Sequence, residues 1–235
     1  MARYSDSASS DEAVLVETDD FALVYDRQNK AFRKKRWSSS TKSWSNGWRA
    51  PCSAIVCKDA STVWAEDSEG KTIASGEAGV DDASVIQSAL DSLTPERVWK
   101  ERVVIRGDFL LSGAINVPSY TVLDLTGARL KINAIDWIIR CDDATNIEII
   151  GGVLDGNREK QEKADVGGIY GNPCDNVIVE GTHVKNAQSG IRLKNCVEGE
   201  SINGEGYHII KNCYAEKCGW GSVFNSSSTV RYDGW

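Results

Sequence analysis

The chain has 235 residues, 41% of them apolar, and a net charge of −7; that suits one large domain, or a small module plus a larger one, with enough apolar residues for a core. Eight cations and no acid lie between Arg27 and Arg49, leaving −15 on the rest of the chain, an acidic body that argues against general nucleic-acid binding. No run approaches the roughly 18 apolar residues of a membrane span, and the polar N-terminus lacks the apolar core of a signal peptide. The sequence thus predicts a chain that works inside a cell or is built into a virion there, unless its true start lies elsewhere; display outside the cell or on a virion surface is the expected destination.

In chain order, residues 1–19 are small, polar and acidic and predict a flexible tail. Residues 20–80 predict a β-rich segment. It opens with Phe21–Tyr25 and continues through the basic stretch Arg27–Arg49, which holds Arg33-Lys34-Lys35-Arg36 and Trp37, Trp44 and Trp48. Cations interleaved with Trp suit an anionic polymer or an acidic partner, this protein's own body included; docking or a solvated hairpin is favoured over nucleic acid. Ser53–Cys57, Thr62–Ala65 and Lys71–Ala74 follow as strands, the last two joined by the turn Asp67-Ser-Glu-Gly70.

Asp81-Asp82 offers a helix N-cap, and Val85, Ile86, Ala89, Leu90 and Leu93 share one helical face before Thr94-Pro95. The pattern predicts an amphipathic helix over 83–93. From Val103 an internal repeat appears. Segments beginning at Tyr120, Asn146, Asn176 and Tyr207 align, and their starts recur every ~30 residues, a spacing typical of repeat architectures. A second series, Trp137–Arg140, Gly168–Tyr170, Gly190–Leu193 and Gly221–Phe224, runs between them. Short strands recurring with Gly, Asn and Asp turns predict an all-β fold: a parallel β-helix whose coils stack alternate side chains into one core. Asn146, Asn176, Asn195 and Asn212 are either ladder residues at equivalent turns or ordinary turn residues. The helix at 83–93 sits where an N-terminal cap is needed, so residues 81–235 read as capping helix plus coil. Nothing similar closes the far end, which predicts a fragment or an end covered by a partner, such as a homotrimer mate. The seven Cys match no zinc ligand spacing and read as small buried hydrophobes.

Gly79-Val-Asp-Asp-Ala-Ser-Val-Ile-Gln-Ser-Ala-Leu90, the runs Val103–Gly113 and Ile115–Val122, and Gly151-Gly-Val-Leu-Asp-Gly-Asn157 resemble the opening and the coils of pectate-lyase-superfamily proteins. The resemblance covers about residues 53–235. It implies a single-stranded, right-handed parallel β-helix and a carbohydrate-directed role. It leaves open a polysaccharide lyase, a glycoside hydrolase, or a non-catalytic tail fibre, tailspike or surface adhesin. Hydrolase chemistry needs paired carboxylates; Asp142-Asp143 stands before the Asp-Gly turn rather than after it, and only Arg192-Leu-Lys194 looks like a family motif. Lyase chemistry needs carboxylates for Ca2+ and an Arg or Lys base. Asp155, Asp165 and Arg192 form that candidate catalytic set if consecutive coils bring them together; otherwise Asp155 is a turn residue and Asp165 a solvated acid. Lys194, Glu205, His208 and Trp220 are candidate sugar-binding residues, with an outward-facing strand position as the alternative for His208. The insertions 157–165 and 197–206 are charge-rich loops of the kind that carry binding or simply solubility.

Overall fold

The structure is a computed structural model; it describes backbone and side chains over residues 52–160, 166–194 and 208–219, and strand backbone at 12–17, 21–26, 31–38, 43–46, 220–225 and 230–233. The first four strands are β1 (Glu12–Glu17), β2 (Phe21–Asp26), β3 (Ala31–Ser38) and β4 (Ser43–Asn46). They form an antiparallel meander in the order β1-β2-β3-β4. Of the expected tail at 1–19, Glu12–Glu17 form a strand register-paired with β2, and the rest lies outside the described residues.

Next come β5 (Ala54–Lys58), β6 (Thr62–Asp67) and β7 (Thr72–Glu77), paired antiparallel in sequence. The turn at Asp67–Gly70 is as expected. The Asp67 carboxylate accepts from the Glu69 and Lys71 N–H groups at 2.8 and 2.9 Å, and Gly70 adopts φ +80°. β5 also pairs parallel with β8 (Glu101–Ile105), so the main body begins at β5 and not at the helix.

Helix α1 (Asp82–Asp91) packs against β5, β6, β7, and against β9 (Gly107–Leu111) and β10 (Ile115–Asn116). Its buried face, Ala83, Val85, Ile86, Ala89 and Leu90, matches the expected amphipathic pattern. The expected cap chemistry does not hold. Asp81 stands at the N-cap without capping through its side chain, and its carboxylate instead accepts from the Glu77 N–H at 2.9 Å. Asp82 is fully buried and accepts from Lys58 Nζ at 2.6 Å, the Leu110 N–H at 2.7 Å and the Gly79 N–H at 2.8 Å. The pair of acids is therefore a clamp joining helix, hairpin and first coil. Gln87 adds a second tie. Its amide donates to the Asn116 carbonyl at 3.1 Å and accepts from the Asn116 N–H at 2.9 Å, so it stands in for a neighbouring strand at the edge of β10.

The chain then visits three sheets in rotation. Its strands are β11 (Thr121–Asp124), β12 (Ala128–Ile132), β13 (Ile139–Arg140), β14 (Ala144–Ile150), β15 (Val153–Asp155), β16 (Gly167–Gly171), β17 (Cys174–Glu180), β18 (His183–Lys185), β19 (Ser189–Lys194), β20 (His208–Lys211), β21 (Tyr214–Glu216), β22 (Trp220–Asn225) and β23 (Val230–Asp233). The long sheet runs β23-β20-β17-β14-β11-β8-β5-β6-β7; a second runs β10-β13-β16-β19-β22, and a third β21-β18-β15-β12-β9. From β8 onward every pairing is parallel. In the long sheet Val122 faces Glu148, Ile147 faces Val177 and Ile178 faces Ile209, the same register that aligns the repeated segments in the sequence.

Alternation sends every second side chain inward. One buried column in each sheet is Val103–Leu123–Ile149–Val179–Ile210, Ile115–Ile139–Ile169–Ile191 and Phe109–Leu130–Leu154–Val184. Each such aliphatic side chain contributes about 1.5–3 kcal/mol by burial. Gly151, Gly181 and Asn212 share one left-handed corner column (φ +67°, +65° and +52°), and Asn146 and Asn176 share another with Tyr120. The expected four-Asn ladder therefore reduces to Asn146 and Asn176; Asn212 belongs to the glycine corner and Asn195 lies outside the described residues. The six Cys among the described residues are free; Cys52, Cys141 and Cys174 are buried as expected, and Cys57, Cys213 and Cys218 are half-buried.

Candidate functional site

In the second sheet the residue after each inward Ile points outward, giving the column Asn116–Arg140–Tyr170–Arg192. Neighbouring strands lie about 4.8 Å apart, so the Tyr170 ring stands between two guanidinium-bearing strands. Trp137 is buried beside it, with ring centroids 4.9 Å apart and tilted by 33°. The Arg140 guanidinium carbon lies 5.6 Å from the Tyr170 ring centre.

Two carboxylates hold Arg140 in place. Asp136 accepts from its Nε and Nη2 at 3.1 and 3.0 Å, and Asp142 from its Nη1 at 3.1 Å. Desolvation pulls the Arg140 pKa down, yet hydrogen bonds and charge from Asp136 and Asp142 outweigh it and leave it above its ordinary value. Asp142 also accepts from the Asn172 N–H at 2.8 Å, tying this coil to the next. Arg192 and Lys194 are half-buried on β19, at the other side of Tyr170. A ring and planar cations fixed on a sheet can stack a sugar ring, while the Arg140 donors are already taken by Asp136 and Asp142.

Residues 156–166 lead from β15 into β16 and residues 195–207 from β19 to β20; 161–165 and 195–207 lie outside the described residues. Arg140 and Tyr170 were missed as candidates in the sequence. The signal was present in the second repeat series, as the residue following each shared Ile.

Asp155 stands elsewhere, on β15 of the third sheet. It is buried, its Oδ2 lies 3.8 Å from both Arg129 Nη2 and Lys185 Nζ, and its Oδ1 accepts from Asn186 Nδ2 at 3.1 Å and the Asn157 N–H at 3.2 Å. Its outward column, Lys131–Asp155–Lys185–Glu216, alternates in charge from coil to coil. Beside it His183 lies 3.4 Å from Glu216 and 5.0 Å, ring to ring, from Tyr214. Asp155 thus braces a corner, and it and Arg192 belong to different sheets. Asp165 and Glu205 lie outside the described residues, and the backbone of Trp220 opens β22 opposite Ser189.

His208 is a correction. Neither a sugar ledge nor an outward position fits it: it is fully buried and continues the inward column Thr121–Ile147–Val177. Its Nδ1 accepts from the Val177 N–H at 3.4 Å. Burial lowers its pKa to about 4, against the opposing pull of Asp175. The sequence alignment already set His208 opposite Ile147 and Val177, and its polarity concealed that.

Among the described residues no group of three His, Cys, Asp or Glu could hold a metal ion; the Asp155 oxygens are taken by two cations and two N–H donors, and Asp165 lies outside the described residues. Among them no helix is long and apolar enough to cross a membrane. Compared with known proteins, the chain matches no family model, no curated protein and no solved structure.

Proposed function

We propose that this chain is a right-handed parallel β-helix of pectate-lyase-like type that binds a polysaccharide along the outward face of the second sheet. One observation carries the reading: Arg140, Tyr170 and Arg192 share one outward column, with a ring between two cations. Two further features support it. The regular parallel steps of the long sheet suit stacked coils, and the Asp82 clamp gives a physical reason for the motif behind the family resemblance.

The pairing of the acids, on this face and beyond it, favours binding over cleavage. Asp136 and Asp142 are committed to Arg140, and Asp155 to Arg129 and Lys185, so these acids are engaged as structural anions rather than poised as an acid and a base. A non-catalytic tail fibre, tailspike or surface adhesin is therefore the preferred form of the reading, and a polysaccharide lyase or glycoside hydrolase the second. The test is titration of the protein with a panel of uronic-acid and neutral polysaccharides, together with product analysis. Binding without chain shortening, weakened about tenfold or more by Tyr170→Ala as expected for loss of a stacked ring, is the expected result. Absence of binding across the panel sinks the proposal, and chain shortening moves it to the enzyme form. Light scattering over a wide concentration range tests the homotrimer that a fibre implies.

A further inference from the structure

The long sheet carries aliphatic side chains on both of its faces. Its strands β8, β11, β14, β17 and β20 contain the runs Val-Val-Ile, Val-Leu, Ile-Ile, Val-Ile-Val and Ile-Ile. Near-continuous runs of this kind belong to parallel strands that are covered on both sides. The register shows where the second set lies. Val122, Ile178 and Ile209 share one column, and Ile55, Val104 and Ile150 share another, on either side of the inward column through Leu123. None of these six belongs to the core of the coil, which takes Val103, Leu123, Ile149, Val179 and Ile210 from the same strands. The carboxylates between them each have a cation: Asp124 has Arg102 and Arg106 at 3.5 and 3.3 Å, Glu148 has Lys100 at 3.3 Å and Glu180 has Lys211 at 2.8 Å. The outward face of the long sheet is thus an aliphatic stripe with its charges already matched.

We propose that this face is the docking surface for the chain's own N-terminal meander, β1–β4, which packs on it sheet against sheet. A sheet must bury one face against another element, and a meander of four short strands has no second layer of its own. Its first two strands read Glu-Ala-Val-Leu-Val-Glu and Phe-Ala-Leu-Val-Tyr-Asp, so it too has apolar residues to cover. The tether selects the partner. β4 ends at Asn46, and β5, the strand of the long sheet that carries Ile55, begins at Ala54. Residues 47–53 between them span at most about 25 Å. From β5 to β20 the stripe crosses five strand spacings, about 24 Å in all, so every part of it is within reach. A short tether holds its two ends at an effective concentration of the order of millimolar, which favours the chain's own sheet over a second copy. Two aliphatic sheets meeting this way pack about 10 Å apart with interleaved side chains. The Tyr170 column lies on another sheet and stays open, whatever it binds.

The experiment uses the full chain, cross-linked with a short lysine-to-lysine reagent in an equal mixture of isotopically light and heavy protein. The meander region offers Lys30, Lys34, Lys35 and Lys42. Lys100 and Lys211 mark the long-sheet face, and Lys131 and Lys185 mark the third sheet. The expected result is links from the meander to Lys100 or Lys211, light to light and heavy to heavy, with none to Lys131 or Lys185. Links that join light to heavy identify a second copy as the occupant and overturn the proposal, as do links to the third sheet or the absence of any link to Lys100 and Lys211. Ile178→Glu/Ile209→Glu sets two carboxylates in the contact and is expected to speed amide exchange in β1–β4 about tenfold or more, the scale of desolvating an unpaired charge. Val153→Glu, at an outward position of the third sheet, leaves that exchange unchanged. No change in the double variant, or an equal change in Val153→Glu, overturns the proposal. Because the double variant can also unfold the coil, the cross-links of the unaltered chain decide alone in that event.

Discussion

Replacing Asp82 with Ala removes the acceptor of three donors at once: Lys58 Nζ and the N–H groups of Leu110 and Gly79. The carboxylate is fully buried and the Lys58 side chain is only 16% exposed, so the variant strands a cation and two amides away from water. Breaking a buried ion pair by removing one partner costs about 3–5 kcal/mol, and the orphaned amides hold the figure at the upper end. Single domains are stable by only about 5–15 kcal/mol, so Asp82→Ala consumes a large part of the total. Lys58→Met is the comparison. It leaves Asp82 with both backbone donors but strands a fully buried carboxylate without its cation, so it too is expected to cost about 3–5 kcal/mol. Urea denaturation followed by far-UV circular dichroism measures both variants, and hydrogen exchange on β9 and β10 reports whether the cap loosens first. If Asp82→Ala stays within about 1 kcal/mol of wild type, less than one orphaned buried donor should cost, the clamp is not what secures the cap.

Other outcomes follow from the same geometry. His208 is held neutral with a pKa of about 4, below its ordinary 6.5; its contribution to stability is therefore complete above pH 6.5 and disappears as the pH falls from 6.5 through 4. The loss amounts to about 3 kcal/mol, and His208→Leu is expected to flatten this acid limb in a plot of unfolding free energy against pH. Gln87→Ala bares the β10 edge and is expected to cost about 1–2 kcal/mol, with faster amide exchange at Asn116 as the readout. At Gly167 an added Cβ meets the Ser189 carbonyl oxygen of the next coil; Gly167→Ala is expected to be destabilising by more than about 2 kcal/mol in denaturation, as an overpacked site is. Burial pushes the Cys174 thiol up to about 12 and Cys141 well above its ordinary value, so both are expected to resist alkylation at neutral pH until the protein is unfolded; prompt labelling of either in the native protein contradicts their placement.

The repeat was legible because two of the three sheets are built from strands with recurring Ile and Val bounded by Gly or Asn. The third was not: β15, β18 and β21 are Val-Leu-Asp, His-Val-Lys and Tyr-Ala-Glu, each too short to show a period. Asp155 was read as a turn residue or a catalytic one, and its ties to Arg129 and Lys185 depend on a register that no local pattern reveals. The cap helix is legible almost to its ends, whereas the role of Asp82 is hidden because Lys58 and Leu110 are distant from it in sequence. Tyr170 escaped notice for a related reason. Its significance comes from Arg140 on the strand before it in the sheet and Arg192 on the strand after, and only stacking brings them level.

The inward-to-outward step along β13, β16 and β19 has an evolutionary consequence. Ile139, Ile169 and Ile191 carry the cohesion of the stack, while Arg140, Tyr170 and Arg192, one position further along each strand, carry its outward chemistry. The two sets are adjacent in the gene and independent in selection. A lineage can rewrite the outer column one codon per coil, exchanging charge, ring or hydroxyl, without touching the residues that keep the coils together. Such a scaffold can change its outer surface quickly, and its relatives would then share inward Ile and Val spacing long after their outward letters had diverged.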